Sequence, residues 1–263
     1  IVSNLEARGE KGSLVALVKG VKVQDVIDTL KLIPENLRSM VKEVTMDLSN
    51  NMNFIIRHCF PKASRTIDRF HVQKLTCDAL QEMRIAYRWD AIQEEADAIQ
   101  EARHSGKEYN PVTFANGDTR KQLLARSCYL LFKSSEKWTD SQKQRAAILF
   151  QIYPDIKEAY SLTHSLRMIF NKNRTKNESR LSLARWYDKV DTSGFKSFNV
   201  IASTLYEHYD EVLNFFNNRS TNAFAESFNA KIKPFRAQLR GVIDIKFFFF
   251  RLVKLYSFRY LLM

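Results

Sequence analysis

A chain of 263 residues with 41 Lys and Arg against 29 Asp and Glu carries a net charge of +12, an excess that points to a polyanionic partner. Hydrophobic residues make up 45%, and the most apolar run, Phe247–Phe250, is bracketed by Lys246 and Arg251, so no segment approaches the ~20 apolar residues of a membrane-spanning helix. Cys59, Cys77 and Cys128 are too few and too far apart for a disulfide framework or a zinc knuckle, which suits a reducing compartment, and only 7 Gly and 5 Pro favour a helix-rich fold.

In chain order, Ile1–Asn4 and Ser13–Val18 read as strands of a hairpin turning around Gly9–Gly12. Val23–Ile33 places Val23, Val26, Ile27, Leu30 and Ile33 at helical spacing. Val41–Met46 reads as a strand ending at Asp47. Asn51–Cys59 follows as a helix closed by Pro61, and Ala63–Ile67 as another short strand. Strands separated by helices favour parallel pairing in an α/β sheet. Residues 72–215 are almost wholly helical, with periodic segments Gln73–Ala102, Arg120–Lys133, Thr139–Gln151 and Asp155–Asn171. The last region starts with Arg219–Lys233, read as one helix capped by Ser220 or Thr221, and ends in an aromatic and basic helix or pair. The organisation predicted is an α/β core over 1–71, a helical insertion over 72–215, and C-terminal helices over 216–263 that complete the core.

Three places carry candidate chemistry. On the 219–233 helix, Phe224 and Phe228 share an apolar stripe, while Asn222, Glu226 and Asn229 fall on a second, polar face. A carboxylate between two amides, followed by Lys231, Lys233 and Arg236, suits a divalent cation beside a polyanion. Residues 217–263 hold nine Lys and Arg against Glu226 and Asp244 alone, so the partner surface is placed there. Asp47, at the carboxyl end of a strand, reads either as a ligand for Mg²⁺ or as the N-cap of the next helix. Asp68-Arg-Phe-His71 sets a carboxylate and an imidazole three apart, either near metal, water and phosphate or as a helix cap with a polar neighbour. The sequence has no glycine-rich phosphate loop, no Gly-x-Ser-x-Gly elbow and no His-Glu-x-x-His helix.

The blocks Val44-Thr-Met-Asp47, Cys59-Phe-Pro-Lys-Ala63, Ile67-Asp-Arg-Phe-His71 and Arg219-Ser-Thr-Asn-Ala-Phe-Ala-Glu226-Ser-Phe-Asn-Ala-Lys-Ile-Lys233, in that order, resemble the bacterial insertion-sequence DDE transposases of the ISL-three group. Leu239-Arg-Gly-Val-Ile-Asp244 and the Phe-rich helix after it are similar too. The resemblance implies an RNase H-like mixed sheet interrupted by a large all-α insertion. It implies Asp47 and Glu226 as catalytic, metal-binding acids, with Asp68, His71, Asn222 and Asn229 in support. Arg219, Lys231, Lys233, Arg236 and Arg240 would meet DNA. Two Mg²⁺ or Mn²⁺ ions per complete site would serve strand cleavage and strand transfer, with transposon ends and target DNA as partners. No membrane is expected, and a bacterial cytoplasmic, nucleoid-associated protein is. The resemblance is compatible with a homo-oligomer on paired ends. It places the first Asp of the triad upstream of Ile1, so the chain is expected to be an N-terminally truncated fragment. The alternative is a non-catalytic DNA-binding remnant of a decayed transposase.

Overall fold

The computed structural model describes residues 1–7, 10–172, 175–238 and 244–257. The chain divides into two compact units. One is Ile1–Arg69 with the chain from Asp210 on; the other is Phe70–Tyr209.

The first unit contains β1 (Val2–Ser3), β2 (Leu14–Ala16), α1 (Val23–Lys31), α2 (Glu35–Arg38), β3 (Glu43–Met46), α3 (Asn50–Cys59) and β4 (Ser64–Ile67). β1 and β2 pair antiparallel as the predicted hairpin, and β3 and β4 pair in parallel. These are two separate two-stranded sheets among the described residues. Helices dominate and strands are few, so the α/β expectation holds in that coarse form. α1 and α3 bury Ile27, Leu30, Ile55, Ile56 and Cys59, the positions their helical periodicity assigns to a core face.

In the second unit the chain continues through α4 (Arg69–His104), which starts in the first unit, then α5 (Arg120–Arg126), α6 (Cys128–Phe132), α7 (Asp140–Ile152), α8 (Pro154–Asn171), α9 (Lys176–Ser193) and α10 (Lys196–Glu207). The predicted helix Arg120–Lys133 is broken at Ser127, whose hydroxyl donates to the Leu123 carbonyl at 2.6 Å, a back-bond that bends helices. Capping boxes at Thr119/Gln122, Thr139/Gln142 and Thr175/Glu178 open α5, α7 and α9, each satisfying two orphan groups. Gly194, at φ +68°, ends α9 in the left-handed conformation glycine adopts without strain.

Asp118 is the fully buried charge of this unit. Its carboxylate accepts from Arg145 Nε at 2.8 Å and from Asn116 Nδ2 at 2.8 Å, and pairs with Arg126, so one acid ties a loop to α5 and α7. Burial pushes its pKa up, but the hydrogen bonds and charges of Arg145 and Arg126 together outweigh burial and hold it below the usual carboxylate value. Asp118→Asn is expected to cost about 3 kcal/mol in urea unfolding, because it removes a buried charge and leaves the largely buried Arg145 without its partner. Because the folded pKa is depressed, the wild-type contribution is complete above the unfolded value of about 4 and is lost as pH falls through the lower folded value. The cost of the substitution should therefore shrink in strong acid.

The chain returns to the first unit with α11 (Tyr209–Asn218), α12 (Ala223–Gln238) and α13 (Ile245–Tyr256). Leu14 of β2, Phe228 and Ile232 of α12, and Phe248 and Leu252 of α13 form one core, with the Phe235 and Phe248 rings stacked 5.8 Å apart. α12 begins four residues later than predicted and runs on through Pro234. The Leu239–Ile243 part of the C-terminal block lies outside the described residues.

Candidate active site

Two neighbouring strands end in acids. In the parallel pair, Met46 lies opposite Ile67, and the Asp68 N–H donates to the Met46 carbonyl at 2.9 Å. Asp47 and Asp68 therefore leave the sheet side by side at its carboxyl edge, the edge where open α/β sheets place ligands. Ser49 occupies the N-cap of α3, so the reading of Asp47 as that cap does not hold. Asp68 is fully buried, whereas Asp47 is exposed.

The third acid arrives from the far end of the chain, and α11 is what brings it. Three polar residues on one face of α11, at spacings of three and four, bind the strand pair. Glu211 pairs with Arg65 at 3.1 Å and also accepts from Asn53 Nδ2 at 3.2 Å. Asn214 Nδ2 donates to the Arg65 carbonyl at 2.9 Å. Asn218 Nδ2 donates at 2.9 Å to one oxygen of Glu43, whose other oxygen accepts from Thr66 at 2.6 Å. Arg65 is thus committed within the fold.

The turn out of α11 is made by Arg219. Its φ of +55° is the only positive value at a non-glycine position among the described residues. A left-handed arginine costs about 1–2 kcal/mol, offset here by its N–H bond to the Phe215 carbonyl at 2.6 Å and its guanidinium 5.2 Å over the Phe215 ring. The redirected chain then places Asn222 between the two strand-end acids. Its backbone N–H donates to Asp68 Oδ2 at 3.2 Å and its side-chain Nδ2 to Asp47 Oδ1 at 3.0 Å. Its carbonyl accepts from the Glu226 N–H at 2.9 Å, so Asn222 sits at the cap of α12 rather than on a helix face. Thr221 Oγ1 accepts from the Ala223 N–H at 3.4 Å, a tight turn just ahead of the helix rather than the hydroxyl cap expected.

One turn into α12 stands Glu226. Its carboxylate, that of Asp68 and the ring of His71, in the first turn of α4, each offer a ligand atom, all within 4.8 Å of one another. Two carboxylates and an imidazole suit a small divalent cation, and the nitrogen donor favours Mn²⁺ over Mg²⁺, which keeps to oxygen.

A protein-family model described as "Transposase", that of the ISL-three DDE group, matches residues 1–252. The chain belongs to the ISL-three group of transposases. No curated protein and no solved structure matched it. For a transposase the polyanion implied by the +12 charge is DNA. No described helix is long and apolar enough to cross a membrane.

The other residues expected from the transposase resemblance fall as follows. Lys231, Lys233, Arg236 and Asn229 are exposed on α12, and Arg219 is half-buried at its approach. Arg240 lies outside the described residues. Glu226 is grouped with Asp68 and His71, and Asp47 joins this group through Asn222 rather than as one of the three clustered ligands. Sequence reasoning missed Glu43, Glu211, Asn214 and Asn218, which hold α11 on the strands. Their partners lie up to 175 residues away, and the only local signal was the helical spacing of Glu211, Asn214 and Asn218 on an amphipathic helix.

Proposed function

We propose that this chain carries the catalytic core of metal-dependent DNA strand cleavage and strand transfer in the movement of an insertion sequence. The observation that supports it best is the convergence of Asp68, His71 and Glu226 beside the strand-end acid Asp47. In this reading the strand-end acids, the returning helix and the helical segment between them belong to an RNase H-like core, divided at about residues 71 and 215.

Asp47 and Glu226 act as acids of a DDE triad. Asp68 and His71 complete the seat around Glu226, and Asn222 keeps Asp47 and Asp68 at fixed spacing with one donor to each. When bound, Mg²⁺ or Mn²⁺, two ions per complete site, supply Lewis acidity for water or a 3′-hydroxyl and for the leaving 3′-oxygen. Arg219, Lys231, Lys233, Arg236 and Arg240 neutralise phosphates near this helix, with Asn229 alongside, a sequence-independent and salt-sensitive contribution. Work on paired ends by more than one copy, in the bacterial nucleoid, fits the same reading.

The test is nicking of DNA that bears the element's ends by the full protein. Nicking is expected with Mg²⁺ and with Mn²⁺, and none in excess chelator. Cleavage that persists in chelator overturns the metal-dependent reading.

A further inference from the structure

Asn50, Asn53, Phe54, Arg57 and His58 line one open depression on α3. Their numbers advance by three, four, seven and eight, so they form a single stripe of the helix. That spacing ordinarily marks an apolar face turned to a core. Here Ile55, Ile56 and Cys59 occupy the core side, and the stripe faces outward.

The chemistry of the stripe is selective. Phe54 is 49% exposed, and the His58 ring lies against it, with centroids 4.1 Å apart. The His58 Nδ1–H donates to the Phe54 carbonyl at 3.1 Å, which fixes that ring pair. Arg57 is exposed beside it, and α3 carries no Asp or Glu. Within the stripe, Asn53 is held by both Arg65 and Glu211, so its inner end is pinned and the Glu211 charge is matched by Arg65. From Asn50 to His58 the helix rises about 12 Å, the length of three to four stacked steps of a DNA strand. The stripe begins three residues beyond Asp47.

We propose that this stripe seats an unpaired nucleotide of the DNA strand next to the reaction site. Its base stacks on Phe54 and His58, and its phosphate meets Arg57. An aromatic face beside a cation, free of acids, is the pattern by which proteins hold single strands without reading sequence. The inference rests on the DNA-processing reading above, and its test separates the two.

The experiment titrates a 2-aminopurine-labelled single-stranded oligonucleotide with the whole chain in chelator, which prevents cleavage, at several salt concentrations. Wild type is expected to bind and quench the fluorophore. Phe54→Leu should lose the quench and bind about ten-fold more weakly, and Phe54→Trp should restore both. Arg57→Gln should lower the slope of log affinity against log salt by about 0.7. All three side chains replace an exposed one, so equal unfolding midpoints confirm folding. If Phe54→Leu and Arg57→Gln bind and quench like wild type, the seat is refuted while the DNA reading stands. If wild type binds no DNA, both fail. If polyglutamate displaces the oligonucleotide as well as unlabelled DNA does, the stripe serves an acidic polypeptide and the proposal is overturned.

Discussion

Glu226→Gln is expected to abolish metal-dependent nicking of element DNA, by about a thousand-fold or more, while DNA affinity stays within about two-fold. The substitution keeps the size and the hydrogen-bonding reach of the side chain but removes the charge that a divalent ion requires. Metal assistance supplies several kcal/mol of transition-state stabilisation, and about 4 kcal/mol corresponds to three orders of magnitude in rate. Folding should be spared. Glu226 is exposed, and its helix is anchored by Phe228 and Ile232 on the opposite side. DNA affinity should be spared as well, because phosphate neutralisation is proposed to fall to Lys231, Lys233 and Arg236. Single-turnover nicking and a filter-binding isotherm on the same preparation check both halves. Retained cleavage by the variant would remove Glu226 from the proposed triad.

The second large effect distinguishes the two strand-end acids. Asp68→Asn is expected to weaken Mn²⁺ binding, read by the electron paramagnetic resonance of free Mn²⁺, by about 10–100-fold or more, since it removes a ligand from the group formed with His71 and Glu226. Asp47→Asn is expected to leave most of that Mn²⁺ binding intact and yet to cut nicking as deeply as Glu226→Gln. The reason is geometric: Asp47 reaches the group through Asn222 rather than as one of its three ligands. Equal loss of Mn²⁺ binding in both variants would place Asp47 among the ligands of the same ion. Asp68 is also fully buried and accepts the Asn222 N–H, so Asp68→Asn should lower the unfolding midpoint where Asp47→Asn does not.

Much of the local architecture was legible in the chain. The hairpin of β1 and β2, the parallel pairing of β3 and β4, and the helical character of 72–215 follow from period-two and helical patterns that act over short distances. Asp47 and Asp68 each follow a short segment read as a strand, so their position at a strand end was readable from local sequence. The start of α12 was not. Ser220 and Thr221 look like caps, but the helix waits until Ala223, because Arg219 is held in a left-handed turn whose approach is fixed by the Asn218 contact with Glu43. Nothing within four residues of Arg219 announces that conformation, which glycine would ordinarily supply. The break at Ser127 escaped as well, because the apolar period runs on through it.

By itself, the sequence determined the partner class through its charge, the family through four ordered motif blocks, and the short list of acids, because these depend on residue identity and local spacing. Only the tertiary structure decided which of those acids stand together. The grouping of Glu226 with Asp68 and His71 is built from α11 contacts that span up to 175 residues, from Asn214 on the Arg65 carbonyl, Asn218 on Glu43, and Asn222 between Asp47 and Asp68. Each rests on one or two hydrogen bonds between groups with ordinary local roles, and its partner is chosen by packing rather than by sequence neighbourhood.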